Sequence, residues 1–313
     1  MAMSLHVFAN FVTPFGTAAN NRAENEGNIT TLQKLLWMGE THSTVSAEAI
    51  RFALRRRLAF VEQSGTNRNW DDDARGNSWR DWAFKAWDSA GAEGYIDDDL
   101  LGFMTAEAAK SEADGGDGKG SAKVRRAVLE VTRAVSLTPW GGDVTFNAAS
   151  PGATPSASKG DNRGKNPVPY GTELHATRYQ YGIALTPERL RDKSRAAKAI
   201  ASLCELGTVA GNHGRFLFDF SPDAVVFRLT ADPAPRLLYC FGTADNGRTV
   251  TADSLLRRIE CGDINKDELL LGVGDLNSTL ALEFGRAGVR FQGVKAACAL
   301  AVQLINENLG VKP

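Results

Sequence analysis

Four arginines in one short segment, SAEAIRFALRRRL (46–58), are the residues here best suited to chemistry: Arg51, Arg55, Arg56 and Arg57. A guanidinium fork can take two oxygens of one phosphate, so arginine suits an oxyanion better than a point charge does. Arg51 and Arg55 are four apart and therefore stack on one face of a helix, where like charges repel by a few tenths of a kcal/mol. Glu48 is the one acid inside that helix. Such a face wants an anion, and a phosphate backbone held without reading bases fits it. Other chemistries lack their motifs. There is no GxxxxGK[ST], GxGxxG, HExxH or GxSxG, so P-loop, Rossmann, zincin and hydrolase-elbow readings have no support. The four histidines (His6, His42, His175, His213) have no metal-ligand spacing. Two acidic triplets, Asp71-Asp72-Asp73 and Asp97-Asp98-Asp99, lie among polar, Gly- and Asn-containing stretches and read as caps and solvated turns rather than a metal site. No cofactor or metal is expected.

The elements that position these residues follow from periodicity. Residues 4–12 (SLHVFANFV) alternate as a strand, ended by Thr13-Pro14 and Gly16, and a polar loop with Asn20, Asn21, Arg22, Glu24 and Glu26 follows. The helix over 46–60 opens with Ser46 as N-cap and Glu48 in its first turn. Val45 and Ile50 form a hydrophobic staple, and Ile50, Ala53, Leu54 and Leu58 an apolar stripe. Residues 62–122 read as a partly helical insertion holding Trp70, Trp79, Trp82 and Trp87, followed by the glycine-rich run 114–120. Those tryptophans suit either a small helical core or a contact surface. Residues 123–136 read as a strand. Residues 141–169, dense in Gly, Ser, Pro and Asn with Lys159, Arg163 and Lys165, read as a linker or, between flanking strands, as a protruding hairpin. In the strand after it, 173–185, His175, Thr177, Tyr179 and Tyr181 share a face. A helix over 187–206 takes Thr186 as cap and Pro187 at its first position, with its many basic residues as a solvated face. Strands follow at 211–220, 223–230 and 236–242, then helices at 251–258 and about 293–308. Strand, helix, insertion, strand, protrusion, strand, helix and strands make an α+β sandwich, for which a βαββαβ core with two insertions fits.

Composition narrows the class. The chain has 313 residues, 43% hydrophobic and 23% charged, within the range of one large globular domain or two modest ones. It has no run of about 18 apolar residues for a membrane span and no basic-then-apolar leader. Cys204, Cys240, Cys261 and Cys298 are widely scattered, with no CxxC pair, which suggests a reducing cytoplasm. Lys+Arg 36 against Asp+Glu 37 leaves a net charge of −1, so any nucleic-acid groove must be local.

In order, several blocks resemble the DevR-type autoregulator family of Cascade backbone subunits, within the RAMP superfamily of CRISPR-associated proteins (type I-A/I-B). They are the N-terminal strand with VSAEAIRFALRRRL, DDLLGFM (98–104), Arg125-Arg126-Ala127-Val128-Leu129 leading to Ala134-Val135-Ser136-Leu137, Glu173-Leu174-His175-Ala176-Thr177 with Tyr179-Gln180-Tyr181, and Gly211-Asn212-His213. Their order carries the resemblance. It implies an RRM/ferredoxin-like palm spanning the chain, a helical finger insertion (62–122) and a β-hairpin thumb (141–172). It further implies a scaffold, not an enzyme, that polymerises along CRISPR RNA and presents it to target DNA. Its partners would be further copies of itself and the large, small, guide-end-capping and guide-processing subunits, with no membrane. The implied RNA-binding residues are Asn20, Asn21, Arg22, Ser46, Arg51, Arg55, Arg56, Lys159, Arg163, Lys165, His175, Arg178, Asn212 and His213. Phe8, Tyr179 and Tyr181 either stack bases or fill the core. The competing reading is a metal-dependent ribonuclease of the related type III kind, but the loop 13–31 carries no Asp and offers only Glu24 and Glu26. No helix-turn-helix pair supports a transcriptional regulator.

Overall fold

The computed structural model describes residues 4–19, 25–88, 93–106, 122–148, 150, 169–210 and 217–311. Its centre is a nine-stranded sheet of β1 (His6–Val12), β2 (Lys34–Trp37), β3 (Glu40–Val45), β4 (Leu129–Val131), β5 (Ala134–Ser136), β6 (Tyr179–Leu185), β7 (Ala224–Thr230), β8 (Leu269–Val273) and β9 (Arg290–Gly293). The order is β9-β8-β7-β1-β6-β5-β3-β2, with β4 also pairing to β6. All pairings are antiparallel except β8 with β9. β1 lies in the middle because both its faces are apolar, and six of its seven residues are buried.

Two apolar layers sandwich the sheet. On one side α1 (Ala47–Val61), α2 (Ile96–Leu101), α3 (Arg195–Cys204) and the last helix, α6 (Val294–Leu309), cover Val7, Ala9, Phe11, Tyr181 and Phe227. On the other, α4 (Asp253–Glu260) and α5 (Thr279–Arg286) cover Phe8, Val12, Val226 and Leu271. Alternate residues of β1 feed opposite layers, as the period of two requires.

Several sequence expectations hold. The first strand, the 46–60 helix with its Ser46 cap, and the helices near 251–258 and 293–308 are present. The last helix stops at Gly310, which takes the left-handed conformation at φ 63°.

Others need correction. Residues 123–136 are not one strand but three short pieces, the second and third separated by Thr132, whose hydroxyl accepts from the Gly182 amide at 2.8 Å. The helix placed over 187–206 is a single 3-10 turn at 187–189 followed by α3, with Ser194 at its N-cap position. Its face is not wholly solvated, since Arg195 is 1% exposed. Residues 217–220 and 236–241 are not strands; Phe218, Phe220, Leu237 and Phe241 plug the core from irregular backbone. Arg236 and Tyr239 there have positive φ, which breaks a strand. Residues 211–216 lie outside the described residues. The scattered cysteines do pair in one case: Cys204 at the end of α3 and Cys298 in α6 form a disulfide. No helix among the described residues is long and apolar enough to cross a membrane.

Candidate nucleic-acid interface

Among its described residues, the stretch 62–122 is less helical than its tryptophans suggested. It holds a hairpin, Arg68–Asp71 with Gly76–Trp79, a four-residue helix at Lys85–Asp88, α2, and the first strand of a second hairpin, Phe103–Ala106 with Ala122–Arg125. Its aromatic residues divide between the two alternatives. Phe84 stacks on Phe103 at 3.9 Å between ring centroids, with Trp79 and Trp87 edge-on around them. Trp82 is 75% exposed.

α1 starts where Ser46 Oγ accepts from the Ala49 amide at 3.2 Å, and Val45, Ile50, Leu54 and Leu58 are fully buried. Ser46 is thus a cap, 2% exposed. Its arginines find their anions inside the chain. Arg55 Nε donates to Asp97 Oδ2 at 3.1 Å, and Asp97 also accepts from the backbone amides of Asn67 and Arg68. Burial, and then the neighbouring Arg68 charge, lower the Arg55 pKa to about 10, so it stays protonated at neutral pH. Arg51 donates to the Leu101 carbonyl and Arg57 to Glu205. Arg56 meets Asp72 at 3.4 Å with both side chains mostly in water, a contact worth little. Through these bonds the Arg51/Arg55 face holds the insertion to the helix, while Arg55 Nη1 is buried without a hydrogen-bond partner.

The second acidic triplet is its counterpart, which corrects the reading of capped, solvated turns. Asp97, Asp98 and Asp99 are 2%, 4% and 0% exposed in the first turn of α2. Asp99 meets Arg125 at 3.1 Å and Arg195 at 3.1 Å. Arg195 uses all five N–H groups: Nε and Nη2 on Glu62, Nη2 also on the Gly94 carbonyl, Nη1 on Asp99 and the Glu93 carbonyl, at 2.8–3.2 Å. Lys198 completes Glu62 at 2.6 Å. The first triplet behaves as expected, with Asp71 Oδ1 accepting from the amides of Asp73 and Ala74 in an exposed turn.

Asp98 is the odd member. Asn67 Nδ2 donates to it at 3.0 Å. Burial first, then Asp97, raise its pKa to about 7; Asp81 also raises it, while Asn67 and Arg55 pull it down. Its folded pKa is raised above the unfolded value of 3.8. The stability it contributes is full below pH 3.8 and is lost as pH rises through 7. Asp98→Asn, which keeps an acceptor for Asn67, should remove that part of the pH dependence and be more stable than wild type at about pH 8 in urea unfolding. Superimposable pH profiles for the two proteins would refute this.

The other candidates divide in the same way. His175 is 4% exposed: its Nδ1 pairs with Ser43 Oγ at 2.6 Å, and its Nε2 with the Pro139 carbonyl at 3.1 Å. Burial lowers its pKa to about 4, so it is neutral at pH 7 and offers no charge to phosphate. Arg178 is bound to Asp223 at 2.6 Å and to the Thr13 carbonyl at 3.1 Å. Phe8, Tyr179 and Tyr181 are core, at 3%, 0% and 0% exposure. Burial holds both tyrosine hydroxyls well above their usual range, and Tyr179 Oη bonds Ser43. Asn20, Asn21, Arg22, Lys159, Arg163, Lys165, Asn212 and His213 lie outside the described residues, as does Glu24; Glu26 is exposed. Among the described residues no group of three His, Cys, Asp or Glu could hold a metal ion.

The protrusion has a stem. Val144–Ala148 pairs antiparallel with Pro169–Glu173, in register from Val144 opposite Glu173 to Ala148 opposite Pro169. It belongs to a separate sheet with Ile29–Thr30 and Asn25–Glu26. Glu173 roots it to the central sheet, accepting from Lys34 Nζ at 2.7 Å and the Leu32 amide at 2.7 Å. Phe146 on this stem is 76% exposed.

Residues 13–206, more than half of the chain, match the family model described as CRISPR-associated negative auto-regulator DevR/Csa2. The chain belongs to this family. It is 62% identical over 303 residues to a CRISPR-associated protein Cas7/Cst2/DevR of Myxococcus xanthus (strain DK1622), across 96% of this chain and 97% of that one. Among solved structures it resembles a chain of a pre-nicking CRISPR RNA-guided surveillance complex (TM-score 0.55, 13% identity, 95% of this chain and 100% of that one). A chain of another CRISPR RNA-guided surveillance complex gives TM-score 0.55 at 15% identity, over 95% of this chain and 99% of that one. At those identities the likeness is one of fold. The DevR/Csa2 match spans α1, its arginines, both acidic triplets and the stem, so the joint between α1 and the insertion lies wholly within the family-defining part.

Proposed function

We propose that the chain is a non-catalytic backbone subunit of a type I CRISPR Cascade effector complex, which polymerises along CRISPR RNA in the cytoplasm. It would hold the guide's phosphates and present its bases to target DNA in antiviral defence. The observation that carries this is the 62% identity, over almost the whole of both chains, to a Cas7/Cst2/DevR protein. The fold supports it. Numbering the core strands β1, β5, β6 and β7 as 1 to 4, with α1 after the first and α3 after the third, their sheet order is 4-1-3-2, that of an RRM/ferredoxin-like palm. On this reading residues 62–122 are the finger, and 141–172, with the Val144–Ala148/Pro169–Glu173 stem, the thumb. Partners would be further copies of the chain and the other Cascade subunits. Of the candidate RNA-binding residues, Arg56, which is half exposed, and the basic residues at 22, 159, 163 and 165 would reach RNA. Ser46, Arg51, His175 and Arg178 would hold the frame that presents them, and Arg55 joins that frame through Asp97.

Polymerisation makes the number of bound copies a function of guide length. Purified chain added to CRISPR RNAs of increasing spacer length should form particles whose mass steps up by one 33.7 kDa copy at regular length increments. A fixed stoichiometry at every length would contradict the proposal. Periodic Mg²⁺-dependent cleavage of complementary RNA by the assembled complex, lost in Glu24→Gln with Glu26→Gln, would favour the ribonuclease instead.

A further inference from the structure

Between α1 and the Arg68–Asp71/Gly76–Trp79 hairpin lies a cavity of about 200 Å³, lined by Phe52, Arg55, Phe60, Thr66, Arg68 and Trp70 among others. Two guanidinium nitrogens on its lining residues are unused. Arg55 Nη1 and Arg68 Nε are both buried and have no hydrogen-bond partner. The Arg55 side chain is nine-tenths buried, and only its Nε reaches Asp97. A buried donor left unpaired is costly, so two beside one cavity suit it to an acceptor. The charge balance agrees. Arg51, Arg55 and Arg68 are close enough to repel one another, with Asp97 bonded among them and Glu48 beside Arg51, which leaves one more cation than carboxylate. Asp98 is bonded to Asn67 rather than to any of the three arginines. The apolar walls are aromatic: Trp70 sits edge-on to Phe52 at 5.6 Å between centroids, and Phe60 is 82% exposed. An acceptor small enough for this space, negatively charged, and attached to a flat ring, is a nucleotide phosphate.

We propose that this cavity is a phosphate site, in which Arg55 and Arg68 hold one phosphate group and Trp70 with Phe60 flank the base or sugar attached to it. It deepens the guide-binding reading and rests on it for the RNA strand as the source of that phosphate. It also gives the insertion a direct part in binding, through Arg68 and Trp70.

The test uses the purified full chain with three probes: inorganic phosphate, adenosine monophosphate and a ten-nucleotide single-stranded RNA. Binding is measured by calorimetry across a salt series. Arg68→Gln removes a guanidinium that makes no hydrogen bond in the fold, and circular dichroism checks that the variant folds. It should weaken RNA binding about tenfold and reduce the salt slope by about one. Trp70→Leu keeps the charges and should weaken RNA and the mononucleotide but not inorganic phosphate; it serves as the second variant if Arg68→Gln does not fold. Saturable binding of adenosine monophosphate that competes with RNA would identify free nucleotides as a source, and binding of RNA alone would identify the strand. Loss of phosphate and mononucleotide binding in Arg68→Gln, with no RNA bound by the wild type, would uphold the cavity and sink the guide reading. Wild-type affinity of both folded variants for all three probes would overturn the cavity, even in a chain that still assembles on guide RNA.

Discussion

Arg195→Ala is expected to destabilise the protein by about 3–5 kcal/mol, the cost of leaving buried carboxylates without their counter-ion. Glu62 and Asp99 are 9% and 0% exposed, and Arg195 is the cation between them. Lys198 and Arg125 each reach only one of the two. Two backbone carbonyls, of Glu93 and Gly94, would lose their donor at the same time. Arg195→Lys keeps the charge but not the five-donor fork, so it should recover part of the loss. Urea unfolding followed by far-UV circular dichroism reads the difference. A change below about 1 kcal/mol for Arg195→Ala would mean that these ion pairs do not hold α2 to α3.

Gly102→Ala should be of similar size, for a reason of shape rather than charge. Gly102 follows α2 with φ 68° and ψ 174°, a region open essentially to glycine alone. A Cβ there would meet the Arg125 carbonyl oxygen at 2.3 Å and the Ala127 nitrogen at 2.7 Å. Both are backbone atoms, at the end of the return strand and just beyond it, and cannot swing aside as a side chain can. Relief requires Phe103–Ala106 to part from Ala122–Arg125, which would pull Arg125 away from Asp99. A loss of about 3 kcal/mol or more is expected, with faster hydrogen exchange in α2 and around Asp99. An alanine variant with wild-type stability and exchange would contradict it.

The first strand and α1 were largely legible in the sequence because their signals are local. Alternation in SLHVFANFV, the Ser46 cap, the Val45/Ile50 staple and the stripe of α1 each determine their own element, and the structure has all of them. His175, Thr177, Tyr179 and Tyr181 are all buried, but 173–185 is not one strand: His175–Thr177 pairs with Gly16–Ala18 outside the central sheet, and whether such residues face bases or core depends on what covers them. The candidate site was less legible because its decisive contacts are long-range. An arginine face looks identical from sequence whether its anion is a phosphate or an aspartate 42 residues away. One local clue pointed to the aspartates: IDDDLL sets three acids between Ile96, Leu100 and Leu101. An apolar frame of that kind implies burial, and buried carboxylates imply partnered arginines. The irregular plugs at Phe218 and Phe241 carry no periodicity, so strand-like composition misled there.

Co-expression of the tagged chain with its neighbouring operon and a CRISPR array, followed by native mass measurement and sequencing of the bound nucleic acid, tests the central claim most directly. The account predicts a large particle with several copies of this chain on RNA of uniform repeat–spacer sequence. A nucleic-acid-free monomer from the same expression would contradict it.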